Sequence, residues 1–405
     1  MRNIGRKTMN DRIIPIDDYY CSMKFRFLKV DLQRNTTANC HAATPHSVDF
    51  DWLAGHRGQL FNTAINVSER QQMLVNERPK SCEQNCWHAE ERGAESPRMV
   101  QGGRQRIDAY PITRPTIMDL TLDFNCNLSC SYCSKEYSST WLRDVLDNGD
   151  YAIEGYESDR FSGNARDRIM VRASQDEFRN NQKRKSLLDE CMEQLDGLEK
   201  LVITGGEPFL SKELTELLEK AQGVREVIVY TGLGVGRSRF EMIVDRIKDF
   251  DNVTLWISME NIDDLLEFNR YGLVWQEAES KIEHLRKAGI RYQFQSTLSN
   301  LTLFGFGDFY RRYAEDDIVI NFAYQPRFMA PWVMDRNSKE DLLEGLHGLP
   351  SEIRSSVQDS IARDSDESEG RQLGQFLLQY IHRREDLDLR IFPKTFLKWM
   401  DIHVV

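Results

Sequence analysis

The chain has 405 residues and no run of about eighteen apolar ones, so its sequence predicts no membrane-spanning helix. Its first twenty residues carry charges throughout and lack the apolar stretch of a secretory signal. A cytoplasmic protein is the expectation. Excess positive charge is missing too. With 53 Lys and Arg against 64 Asp and Glu the net charge is −11. That balance argues against a broad basic face for nucleic acid while leaving room for a local basic groove. There is no phosphate-loop lysine motif and no Gly-x-Ser-x-Gly elbow. The tryptophans and tyrosines are too scattered for a base-stacking platform. The acidic pairs Asp17-Asp18 and Asp316-Asp317 read as turn or cap residues.

Cysteine, by contrast, is present in a pattern. The eight are Cys21, Cys40, Cys82, Cys86, Cys126, Cys130, Cys133 and Cys191. Without a secretory signal, clustered cysteines read as metal ligands before disulfides. Cys126, Cys130 and Cys133 follow a C-x3-C-x2-C spacing at the end of an alternating apolar stretch. Three thiolates that close can hold three corners of an iron–sulfur cube and leave the fourth iron open for chemistry. The competing reading is a zinc knuckle. Structural zinc takes four ligands, however, and no fourth cysteine or histidine lies close by in sequence. Cys191, in a charged helical stretch, reads as a half-buried free thiol.

From Thr116 onward short apolar runs alternate with amphipathic stretches. The strands fall at 116–124, 200–204, 225–231, 252–258, 292–297 and 317–323, and helices at 212–221, 239–250 and 276–288. Strands alternating with helices imply parallel pairing through right-handed crossovers. Six such units fit a partial barrel better than a closed eight-fold one. In the long connection 134–199 the first half reads as surface loop. Its second half, 175–198, reads as a charged helix with Lys183-Arg-Lys185 on a solvated face. Upstream, 25–32 reads as a strand and 68–76 as a helix capped by Ser68. Gly102-Gly103 and the prolines at 111 and 115 mark a boundary. The fold class expected is α/β: a partial (β/α)6 barrel at 111–330, an irregular cysteine-rich N-terminal domain at 1–110, and a helical tail at 331–405.

A second motif, Thr204-Gly-Gly-Glu-Pro-Phe209, follows the second strand directly. Two glycines allow a close approach to the backbone, the proline fixes the turn, and Glu207 can receive a cationic group. Together, Cys126-x3-Cys130-Ser-Tyr-Cys133 and Gly205-Gly-Glu-Pro208 resemble the radical S-adenosylmethionine enzyme superfamily over roughly 116–325. The resemblance implies a 4Fe-4S cluster on Cys126, Cys130 and Cys133, whose open iron chelates S-adenosylmethionine. It implies that Gly205, Gly206 and Glu207 receive the methionine amino group, and that Tyr132 packs near the adenine. Ser258 and Glu260, at the end of the fourth strand, stand where the family places ribose or carboxylate contacts. Arg270 matches an arginine that meets the methionine carboxylate, and Thr297 with Asn300 lies at the barrel mouth. The bland readings are a strand-end cap for Ser258 and a surface ion pair for Arg270. One departure is the Thr231-Gly-Leu-Gly-Val-Gly236 loop, where many relatives have Thr-Asn-Gly; it widens the pocket or simply turns.

Cys21, Cys40 and the pair Cys82-x3-Cys86, with Trp87, Glu90 and Ser96-Pro-Arg98, resemble the twitch-type auxiliary-cluster region of some superfamily members, here placed before the barrel. Four cysteines can close a cube completely; a four-thiolate zinc site is the alternative. His41, His46 and His88 lie near enough in sequence to substitute as ligands. The function implied is reductive cleavage of S-adenosylmethionine to a 5′-deoxyadenosyl radical that abstracts a hydrogen atom, with a reductant such as flavodoxin or ferredoxin. A peptide or protein side chain is the leading substrate class, and a nucleotide or base the second. A non-enzymatic iron–sulfur or zinc carrier or scaffold is the rival from another class.

Overall fold

A computed structural model describes residues 19–101, 112–157, 159–164, 167 and 181–402. Asp17, Asp18, Gly102, Gly103 and Pro111 lie outside the described residues. The strands are β1 (Phe27–Asp31), β2 (Thr36–Ala38), β3 (His46–Ser47), β4 (Ile117–Thr121), β5 (Ser129–Cys130), β6 (Lys200–Thr204), β7 (Glu226–Thr231), β8 (Val253–Ser258), β9 (Arg270–Tyr271), β10 (Tyr292–Leu298) and β11 (Ile318–Phe322). The main helices are α1 (Ala64–Leu74), α2 (Ser139–Asn148), α3 (Gln182–Glu193), α4 (Leu214–Lys220), α5 (Arg237–Ile247), α6 (Asp263–Asn269), α7 (Trp275–Ala288), α8 (Phe306–Arg312), α9 (Arg336–Gly345), α10 (Ser351–Ile361), α11 (Glu367–His382) and α12 (Lys394–Trp399). The mixed α/β class, the largely parallel sheet and the helical tail agree with expectation. None of the described helices is long and apolar enough to cross a membrane.

The chain forms two compact units. The first holds Met1–Asp123, Gln175–Thr204 and Glu216–Ile228. Its strands run in the order β3-β2-β1-β4-β6. β4 alternates, with Met118 and Leu120 buried, and pairs in parallel with both β1 (Ile117 beside Phe27) and β6 (Ile117 beside Lys200). β2 returns antiparallel to β1. Helix α1 begins at Thr63, whose hydroxyl accepts from Asn66 N, one turn ahead of the expected Ser68 cap. In α3 Arg184 turns inward and is buried, contrary to a solvated face for the whole basic run. Cys191 is fully buried rather than half-buried.

The second unit holds Phe124–Ser174, Gly205–Thr215 and Val229–Val405, and β7 is divided between the two. Here β8, β10 and β11 pair in parallel, with Gln295 level with Ser258 on one side and Val319 on the other. Phe294 packs edge-on against Phe309 of α8, ring centroids 5.2 Å apart. The alternating neighbours Gln293, Gln295 and Thr297 therefore face the other side of the sheet. Helix α2 occupies part of the segment expected to be loop. Ser138 caps it by accepting from Trp141 N, and Trp141, Leu142 and Val145 make one buried stripe. That stripe meets the chain just after α2 and the tail: the Trp141 ring lies against Tyr151 and Phe161, and against Phe376 and Tyr380 of α11.

Candidate active site

The loop from Phe124 to Cys133 carries the cysteine triplet, and its backbone is held from several sides. The Ser138 hydroxyl donates to Leu128 O at 2.7 Å, and Thr140 Oγ1 donates to Cys126 O. The Trp141 indole donates to Cys130 O at 2.9 Å, and the Tyr380 hydroxyl donates to Ser129 O at 2.6 Å. Thus the start of α2 and the tail helix α11 both grip the loop. Gly206 packs against its first residues: a Cβ there would stand 2.5 Å from Phe124 O, so only glycine fits. Gly234 receives Leu128, whose Cγ would lie 2.9 Å from a Cβ at that position. The glycine-rich loop after β7 is thus a socket for the cysteine loop. Lys281, buried on α7, fixes it by donating to Leu233 O and Val235 O; nothing in the sequence singled this lysine out.

Of the residues proposed to bind S-adenosylmethionine, three converge. Two-residue strands β5 and β9 pair antiparallel and set Cys130 opposite Arg270. Arg270 Nη1 then lies 3.9 Å from Cys130 Sγ, and Nε and Nη2 reach the two oxygens of Glu260 at 3.2 and 2.8 Å. The Tyr132 hydroxyl donates to Glu260 Oε1 at 3.0 Å. The pair is buried on both sides, which corrects the reading of Arg270 as a surface ion pair. Burial would depress the Arg270 guanidinium, but Glu260 and its other partners outweigh it, and it is held above its ordinary value.

Glu207 lies 1% exposed. Its carboxylate accepts from Phe209 N, Thr231 Oγ1 and Gly232 N at 3.1, 2.9 and 2.8 Å. Burial raises its pKa against the pull of those hydrogen bonds. Gly232 joins it to the trio, since a Cβ there would lie 3.6 Å from Glu207 Oε2 and 3.7 Å from Arg270 Nη1. Ser258 and Thr297 occupy the C-terminal ends of β8 and β10 instead. Asn300 is buried and donates to Phe328 O and Val333 O. Sequence reading missed a relay from Ser131 Oγ through Asn269 to Asn261.

All three thiols are free and shifted upward by burial, Cys130 to about 12. Among the described residues no three histidines, cysteines or carboxylates stand close enough to hold a single metal ion. A cube spreads its ligands wider than one ion does, so that geometry does not bear on a cluster. The donor set suits one: three soft sulfurs on a single loop, with Leu128 N directed at Cys126 Sγ and Arg270 at Cys130 Sγ.

In the first unit Cys21, Cys40, Cys82 and Cys86 are all buried and line one cavity with Lys24, Trp87 and Arg98. Ala42 N points at Cys40 Sγ at 3.4 Å. Burial pushes the Cys21 and Cys82 thiols up to about 12 and 11. Glu90, Ser96 and Arg98 join: Arg98 Nε and the Ser96 hydroxyl both donate to Glu90. None of His41, His46 and His88 lines the cavity. His46 faces the Thr63 hydroxyl and His88 is exposed.

A three-cysteine loop, an adjoining Gly-Gly-Glu-Pro turn and a buried Arg–Glu pair beside the sulfurs thus stand together in the second unit. Residues 124–309 match the family model of the radical SAM superfamily. That segment, which includes the cysteine triplet and the Gly-Gly-Glu-Pro turn, is thus similar to a radical SAM domain. Among solved structures it is similar to Streptococcus suis SuiB bound to precursor peptide SuiA, at 16% identity and TM-score 0.32 over 68% of this chain and 48% of that one. It is similar to anSMEcpe with bound AdoMet at 14% identity and TM-score 0.32, covering 52% of each chain. A further structure of S. suis SuiB matches at 14% identity and TM-score 0.35 over 92% of this chain and 70% of that one. The chain spans about half the length of the first two. No curated protein matches the sequence.

Proposed function

We propose that the chain cleaves S-adenosylmethionine reductively and abstracts a hydrogen atom from a peptide or protein side chain. The observation that carries the cleavage step is the convergence of Cys130, Arg270, Glu260 and Tyr132 beside the Gly205-Gly-Glu-Pro turn. Cys126, Cys130 and Cys133 would hold a 4Fe-4S cluster, which when bound supplies one electron to the sulfonium of its cosubstrate. Around it the protein's own groups bind and orient. Glu207, buried and with no cation in hydrogen-bond reach among the described residues, offers its negative charge to the methionine ammonium. Arg270 shares its guanidinium between Glu260 and an incoming carboxylate, and Tyr132 sets one face of the adenine site. Ser258 and Thr297 complete the strand-end rim. The peptide assignment rests on the auxiliary-site resemblance, supported by four cysteines sharing one cavity; these would hold a second cluster. A flavodoxin- or ferredoxin-type reductant would supply electrons.

Anaerobically reconstituted protein with dithionite should convert S-adenosylmethionine to 5′-deoxyadenosine. Product no greater than that of a Cys126→Ala control would sink the proposal. Metal analysis should find about eight irons per chain, for two cubes; about four irons and one zinc would make the N-terminal site a zinc site.

A further inference from the structure

We infer that Gln295 and Asn321 together form a recognition site for a peptide amide group of the substrate, an inference that rests on the peptide reading above. Gln295 sits on β10 level with Ser258, and Asn321 on β11 level with Thr297. All four lie on the sheet face opposite α8, among residues already assigned to the cosubstrate rim. Gln295 is only 5% exposed. Its Oε1 accepts from Asn321 Nδ2 at 3.1 Å, but its own Nε2 is buried with no partner among the described residues. A buried amide donor left without an acceptor is costly, and a water, an ion or a ligand group is what completes it.

Each amide uses one of its two polar ends on the other. Whichever way the two are turned, the pair therefore presents one donor and one acceptor. A secondary amide is the complement, since its carbonyl accepts and its N–H donates. A carboxylate would satisfy only the donor and an ammonium only the acceptor. The side chains in register with the pair are Ser258, Val319 and Thr297, none of them aromatic, whereas Trp256 stands further back on the same face, level with Gln293, with its ring edge-on to Tyr230. The immediate neighbours therefore favour a peptide over a nucleobase with the same edge. Val319 is 42% exposed and offers apolar contact to a neighbouring side chain. β11 also ends the strand order. Asp317 O and Ala323 N bond to β10, so the intervening residues 318, 320 and 322 turn their backbone groups to the free edge.

The test uses the full chain, anaerobically loaded with cluster and S-adenosylmethionine, and three probes: N-acetyl-trialanine amide, its analogue with the central amide replaced by an ester, and uridine. Binding is read by saturation-transfer NMR titration. Wild type should bind the amide probe, and Gln295→Leu and the exposed-site variant Asn321→Ala should each weaken it about tenfold. The ester should bind wild type about as weakly as the amide binds the variants. Equal binding of the amide by wild type and both variants, a preference for uridine, or no binding of the amide probe would overturn the inference. Formation of 5′-deoxyadenosine by wild type alone, assayed in parallel, reports separately on the proposed reaction. Its absence would overturn that reaction whatever the probes do.

Discussion

Arg270 and Glu260 are charges that the fold has taken out of water, and a buried pair behaves unlike a surface one. Each partner relies on the other, so removing one leaves an uncompensated buried charge, at about 3–5 kcal/mol. Replacing both by apolar residues of similar size can be nearly neutral. Arg270→Met should therefore lower the thermal midpoint of metal-free protein markedly, and the added Glu260→Leu should restore most of it. A double variant no more stable than the single one would show that the pair is not a self-contained unit. The sequence marked Tyr132, Glu260 and Arg270 only by resemblance. Their convergence is a consequence of β5 meeting β9, a contact between residues about 140 apart that no local pattern encodes.

Helix α2 links the cysteine loop to the tail. Trp141 is fully buried, packs on Phe376 and Tyr380 of α11, and donates to Cys130 O. Trp141→Ala removes both ring and donor and should cost about 3–5 kcal/mol. Trp141→Phe keeps most of the ring and strands one carbonyl, at about 1–3 kcal/mol. Urea unfolding of the metal-free protein checks both, and equal losses would show that the ring contributes nothing beyond the hydrogen bond. The local signal for α2 was present in Ser138 and the spacing of Trp141, Leu142 and Val145. It was hidden by the polar residues around it, as the long α3 was not.

At the scale of the molecule, the first unit half-buries a histidine, His46. Burial lowers the pKa of His46 from its ordinary value, so the fold prefers the neutral ring. The unfolded chain binds its proton at about pH 6.5, and below that the unfolded state holds more protons than the folded one. Stability is thus complete above about 6.5 and declines as the pH falls through the folded value. The thermal midpoint should drop between pH 7.5 and 5.5, and His46→Gln should make the drop smaller. An unchanged drop would assign it to other groups.

By itself the sequence determined the thiol donor set and the strand rhythm. Thiolate spacing and the Gly-Gly-Glu-Pro turn are local, and alternating burial along β6 or β8 is written residue by residue. Only the tertiary structure decided how those pieces meet. It set Arg270 beside Cys130, turned the glycine loop into a socket for Leu128, brought Tyr380 from the tail to Ser129, and joined Gln295 to Asn321. Each of these is a long-range contact fixed by strand pairing and packing, in which the partner's identity depends on the whole fold rather than on the residues next to it.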